Sequence, residues 1–156
     1  MVELLGSSLT RAESDAVVDR YATELQVEGW GLWAVEVVGG APFIGMVGLH
    51  RVNPAVPCAP AVEVGWRLTP EHWGHGYATE AAAASLQFGL VEGGLAEIVA
   101  FTTTVNVRSQ AVMERIGMAR DVGGDFDHPS LPEGSPLRRH VLYRTMASQR
   151  GSTVAQ

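Results

Sequence analysis

Six consecutive residues, Trp73-Gly74-His75-Gly76-Tyr77-Ala78, limit what this chain can fold into more than any other stretch. They join a run that alternates like a strand, Ala61 to Leu68, to an alanine-dense run that reads as a helix, Tyr77 to Leu90. At such a junction the first N–H groups of the helix lack intrahelical partners and the helix dipole is positive. Two glycines let the backbone approach an anion closely, so the junction has the design of a phosphate-binding loop. On the loop alone, a plain tight turn capping a helix is an equal alternative.

Two other phosphate-binding patterns fit poorly. A dinucleotide fingerprint calls for a third glycine where the chain has Thr79, and for an alternating α/β start where antiparallel strands stand instead. A nucleotide-oxidoreductase reading is therefore the weakest of those considered. A P-loop needs a lysine, and all 11 basic residues are arginine.

The remaining elements follow from capping and periodicity. Thr10 and Glu13 have the spacing of a capping box, which starts a helix over Arg11 to Glu28, closed by Gly29. Trp30 to Val38 and Phe43 to His50 read as antiparallel strands joined at Gly39-Gly40. Val52 to Pro60 is a proline-bearing loop. In the third strand one face carries Val62, Val64, Trp66 and Leu68 and the other carries Glu63, Gly65 and Arg67. Gly65 inside that strand predicts a bulge or a close backbone approach.

Beyond the long helix, Ile98 to Thr103 reads as a strand and Asn106 to Ile116 as a helix ended by Gly117. Val122 to Pro136 reads as a loop before a last strand, His140 to Met146. The order predicts a mixed, mostly antiparallel sheet with flanking helices, an α/β or α+β fold. The strand-helix-strand unit in its middle should join parallel strands by a right-handed crossover.

Length and composition bound the partners. The chain has 156 residues, 46% hydrophobic and 18% charged, which suits one compact domain. That domain is expected over 1–147, with a frayed tail over 148–156. A net charge of -6 argues against broad attraction to nucleic acid or anionic membranes. No segment resembles a membrane span or a signal peptide. Cys58 is the sole cysteine, so no intramolecular disulfide can form, and a cytoplasmic location is expected. Its neighbours suggest no catalytic partner. The five histidines lack compact ligand spacing, so no metal is predicted.

The stretch from Glu63 through Gly65-Trp66-Arg67-Leu68-Thr69-Pro70-Glu71 and the glycine loop to Ala81 resembles the core motif of the GCN5-related N-acetyltransferases. It is most similar to the branch that acetylates ribosomal-protein N-termini. Thr104-Val105-Asn106-Val107-Arg108-Ser109 through Gly117-Met118 resembles the second signature of that branch. The likeness extends from about the first helix to Met146. It implies acetyl-CoA as acyl donor, inserted between splayed parallel strands. Backbone groups of Trp66, Arg67 and Leu68 would meet the pantetheine arm. The amides of Gly74, His75, Gly76, Tyr77 and Ala78 would hold the pyrophosphate, and the Asn106 side chain would add a hydrogen bond.

Two departures stand out. The motif usually opens on glutamine or arginine where this chain has Glu71. Family members normally begin with a strand and a helix before the element begun here at Thr10. Their loss would leave the strand Trp30 to Val38 as an exposed edge, so a homodimer is expected.

Amide formation needs a deprotonated amine and a proton for the departing thiolate. Glu63 is the candidate base, weighed against a solvated carboxylate or an ion-pair partner of Arg67. Ser109 matches the place where the resembled branch puts a proton-donating serine, and equally suits the first turn of a helix. His50, His128 and His140 are weighed as acceptor-pocket contacts. The acceptor would be a primary amine, on a protein N-terminus or a small molecule. A non-catalytic acyl-CoA-binding or interaction module is the alternative.

Overall fold

The computed structural model describes residues 9–147. The expected tail over 148–156 lies outside the described residues. Helix α1 spans Arg11–Glu28, and both halves of its capping box form between Thr10 and Glu13. Gly29 closes it in the left-handed region at φ 76°, a conformation that costs glycine little.

Six strands make one sheet in the order β1-β2-β3-β4-β6-β5. They are β1 (Leu32–Val35), β2 (Gly45–Arg51), β3 (Val62–Leu68), β4 (Glu97–Thr103), β5 (Ala119–Asp127) and β6 (Arg139–Met146). All neighbouring pairs are antiparallel except β3 and β4, which are parallel. Helix α2 (Tyr77–Val91) connects that parallel pair and α3 (Val107–Arg115) follows β4.

The first strand is shorter than its sequence pattern suggests. Trp30 is buried just before β1, and after Val35 only single hydrogen bonds, such as Ile44 N–H to the Val35 carbonyl at 2.8 Å, continue the hairpin. Of the two expectations for Gly65, a bulge or a close backbone approach, the bulge is absent: β2 and β3 pair without interruption from Gly45↔Leu68 to Arg51↔Val62.

The largest correction is β5. The stretch read as a loop from Val122 begins inside an edge strand that pairs with β6, with a register shift between Asp121 and Phe126. Gly123-Gly124 and the charges of Arg120, Asp121 and Asp125 hid it, because a bulge breaks the period-2 pattern. Tertiary ion pairs hold the segment instead: Arg144 reaches Asp121 at 2.7 Å and Glu97 at 2.8 Å.

Alternation along the strands separates two faces. Val47, Leu49, Val62, Val64, Ile98 and Ala100 join Leu86 of α2 and Met113 of α3 in the main core. Gly89 lets α2 lie close on this face, since a Cβ there would stand 2.6 Å from the Leu49 Cδ1. On the opposite face Val99, Phe126 and Leu142 form a smaller cluster with Val52 and Val56 of the loop between β2 and β3.

Candidate active site

Strands β3 and β4 pair at one position, Glu63↔Val99, whereas β4 and β6 pair through seven from Glu97↔Met146 to Thr103↔His140. The parallel ladder does not continue toward the C-terminal ends of β3 and β4. There β3 stays paired with β2 and β4 with β6, and only the edges that face each other have no ladder partner.

The chain then leaves β3 through the 3-10 turn Pro70–His72 and enters α2 at Gly76. Gly74 and Gly76 have φ of 78° and 82°, so glycine suits the backbone here. A Cβ at either would meet nothing within 4 Å, so conformation and not crowding sets the requirement. No side chain caps the first turn of α2. Its N–H groups remain available, at the positive end of the dipole. This geometry fits an anionic phosphate group without a lysine.

Neighbouring side chains hold the loop. The Trp73 indole N–H donates to the Leu68 carbonyl at 2.8 Å, and Arg108 of α3 lies over the Trp73 ring at 5.2 Å. His75 and Tyr77 stack with their ring centroids 5.5 Å apart. Arg108 brings a cation to the loop from a distant part of the chain, which no local spacing announces.

Asn106 caps α3. Its carbonyl oxygen accepts from the Ser109 N–H at 3.2 Å, and its amide donates to the Thr102 and Ser109 hydroxyls at 3.0 Å each. Asn106 and Ser109 are therefore brought together, with Ser109 buried in the first turn. Thr103, at the end of β4, is 7% exposed. Its hydroxyl is the one buried side-chain polar atom among the described residues without a hydrogen-bond partner. Sequence inspection gave no signal for it.

Glu63 is only 8% exposed. Its partner is not Arg67 but His50, whose Nε2 lies 3.3 Å from Oε2. The two residues face each other across β2 and β3, while Arg67 is exposed four residues further on. Burial pushes the Glu63 carboxyl up to about 8. Burial also lowers His50, against the opposing effect of its contact with the Arg51 carbonyl. Both shifts favour the neutral forms over an ion pair.

His50 also lines a cleft of about 680 Å³ with Arg20, Tyr21 and Glu24 of α1 and Asn53 and Ala61 of the β2–β3 loop. Further along the same sheet face, His128 and His140 stand 5.0 Å apart and pack against Phe101 and Phe126. Burial lowers both imidazoles. Cys58 is half-buried, and burial, followed by the Glu63 charge, raises its thiol, which keeps it in the less nucleophilic form. Among the described residues no helix is long and apolar enough to cross a membrane.

The family profile described as the acetyltransferase (GNAT) domain matches residues 1–119. Among curated proteins, the chain is 36% identical over 96 residues to the FsC-acetyl coenzyme A-N(2)-transacetylase of Aspergillus fumigatus, covering 59% of this chain and 40% of that one. It is 38% identical over 87 residues to the uncharacterized N-acetyltransferase YnaD of Bacillus subtilis, covering 56% and 49% respectively. The chain thus spans about half the length of the curated relatives it matches. A GNAT-family acetyltransferase structure from Bacillus anthracis superposes with a TM-score of 0.70 at 26% identity, covering 91% of this chain and 78% of that one. A spermidine N-acetyltransferase from Vibrio cholerae, 18% identical, shares the fold with a TM-score of 0.66 over 86% of this chain and 76% of its own. The chain belongs to the GNAT acetyltransferase domain family, whose members use acetyl-CoA as acyl donor.

Proposed function

We propose that this chain is an acetyl-CoA-dependent N-acetyltransferase acting on a primary amine, in the branch that resembles the ribosomal-protein N-terminal acetyltransferases. The observation that carries it is the opening between β3 and β4, which leads to the uncapped first turn of α2. An extended amide-bearing arm fits the unpaired strand edges, and a pyrophosphate fits the turn beyond.

In this reading the backbone of Trp66, Arg67 and Leu68 lines the arm. The amides of Gly74, His75, Gly76, Tyr77 and Ala78 hold the pyrophosphate. Asn106 supports the arm from the end of β4, although its side chain already serves Thr102 and Ser109. Bound acetyl-CoA supplies the activated acyl group. Glu63, in the ionised form that a value near 8 leaves as a minority at neutral pH, takes the proton from the amine nitrogen as the C–N bond forms. The Ser109 hydroxyl donates to the sulfur as the C–S bond breaks, and water restores its proton. A Glu63 carboxyl near 8 is matched to an amine that titrates in the same range.

The acceptor is an amine on a protein N-terminus or a small molecule. The spermidine acetyltransferase shares only the fold, so a polyamine is one member of the panel and no more. A cytoplasmic homodimer, with the β1 edge of the sheet toward its partner, completes the proposal.

Thiol release from acetyl-CoA across a panel of amines and N-terminal peptides tests it. Amine-dependent release, with one acetyl group found on the acceptor per thiol, is expected. Tight acetyl-CoA binding with no release for any amine would favour a binding module instead.

A further inference from the structure

Glu63 has a proton to gain from the acceptor in every turnover and little contact with water through which to lose it. Among the described residues its polar neighbour is His50, whose Nε2 lies 3.3 Å from the Glu63 Oε2. The His50 side chain is 32% exposed where that of Glu63 is 10% exposed, and His50 lines the cleft while Glu63 does not. Gly65 makes room for the ring, since a Cβ there would stand 3.4 Å from the His50 Nε2. The other ring nitrogen, Nδ1, lies 3.3 Å from the Arg51 carbonyl, which fixes the ring plane and favours an N–H at that position.

We infer that His50 is a proton-relay residue, passing protons from the buried Glu63 carboxyl to water in the cleft between α1 and the β2–β3 loop. The inference rests on the proposed acetyltransferase reaction and adds the route by which its proton leaves. The amine nitrogen gives a proton to one Glu63 oxygen. The Oε2 proton passes to the His50 Nε2 lone pair, forming an imidazolium. The imidazolium then releases a proton to water, so one proton enters the pair and one leaves. No oxidant or further reactant is needed.

The surroundings set the charge balance around this route. Glu24 of α1 favours the imidazolium and Arg20 of α1 opposes it. Arg51, next in β2, is held by Glu28 at 2.9 Å. Glu63 approaches from β3, and Cys58 of the intervening loop senses the Glu63 charge. The cleft at about 680 Å³ has room for a small imidazole in addition to water.

Chemical rescue separates relay from packing. His50→Ala should lower kcat at least tenfold while the acetyl-CoA KM stays within about twofold. Millimolar imidazole should restore part of the rate, tracking its neutral form as pH changes. An unimpaired His50→Ala enzyme would overturn the relay. So would an impaired but folded, acetyl-CoA-binding variant that imidazole does not rescue. A wild-type chain without amine-dependent thiol release would instead sink the reaction proposal. The pair is then judged by NMR titration of the ring, assigned with His50→Phe. The His50 signal should show a second inflection near the Glu63 titration that Glu63→Gln abolishes; a single inflection, unchanged by Glu63→Gln, overturns the coupling.

Discussion

Beneath α2 and α3 the sheet presents Val47, Leu49, Val64, Ile98 and Ala100, all sealed in one apolar cluster. The same strands turn His50, Glu63, Gly65, Phe101 and Thr103 to the other side. Adjacent residues of one strand, Glu63 and Val64, are both nearly inaccessible to water, yet only Val64 meets neighbours that suit it. Burial on the first face is a source of stability. On the second it withholds water from titratable groups and changes their chemistry. A period of two thus separates what holds the fold from what can react.

The largest expected effect falls on the reactive side. Glu63→Gln should cut amine-dependent turnover by about 10²- to 10⁴-fold, the usual contribution of a positioned base. Stability should move the opposite way. The native carboxyl titrates at about 8 against an ordinary value of 4.5, so between those limits the folded state binds more protons than the unfolded. Wild-type stability from this group therefore falls as pH rises from 4.5 to 8 and levels off above. His50 is lowered, so its own contribution rises with pH up to its ordinary value near 6.5. Glu63→Gln removes only the first contribution. The melting temperature of the variant minus that of the wild type should grow from pH 5 to pH 8; a difference independent of pH would mean that Glu63 is not buried as an acid.

On the apolar side the expectation is the converse. Leu86 is fully buried on α2 against the strand core. Leu86→Ala should cost about 2–5 kcal/mol in denaturant unfolding. The pH dependence of that unfolding should keep the wild-type shape, because no titratable group touches the change. An altered shape would show that the two faces are coupled through the sheet.

A smaller effect is expected at the junction that belongs to neither face. Gly76→Ala places a Cβ on a backbone at φ 82°, which costs about 1–2 kcal/mol in the left-handed region. There is space for the methyl group, so the strain should be relieved by rotating the amides of the turn. Acetyl-CoA binding, measured by calorimetry, should weaken about tenfold with the Glu63 titration unchanged. Unaltered affinity would remove the first turn of α2 from the proposed site.

The sequence legibility of these regions follows the same division. Helices α1 and α2, and the strands facing them, were readable because caps and apolar spacing are local signals. The limits of α1 agree with the pattern from Arg11 to Glu28. The glycine turn before α2 was readable for the same reason, since its glycines stand beside the helix they open. Strand β5 was not: its hold on the sheet comes from Arg144, more than twenty residues beyond Asp121. The Glu63 partner was missed because a cross-strand neighbour is fixed by hairpin register. Arg67 shares the Glu63 face of the strand, four residues on, and yet the true contact is His50. Thr103 was silent because an unpaired hydroxyl is a property of the folded surroundings.

The smallest expected effect tests whether α1 belongs to the core or only borders the cleft. Thr10 accepts from the Glu13 N–H, and the Glu13 carboxylate accepts from the Thr10 N–H at 2.8 Å. Thr10→Ala removes one half of this box and should cost about 1 kcal/mol of helix stability. Helix α1 has no buried residue, so the loss should remain local. Amide exchange in the first turns should quicken about fivefold, the factor that 1 kcal/mol allows, while the unfolding midpoint barely moves. Arg20, Tyr21 and Glu24 lie beyond those turns and form the cleft wall. The KM for the amine should therefore change less than the exchange rates. A midpoint that fell as far as in Leu86→Ala would tie α1 cooperatively to the sheet and make the cleft wall part of the folding unit.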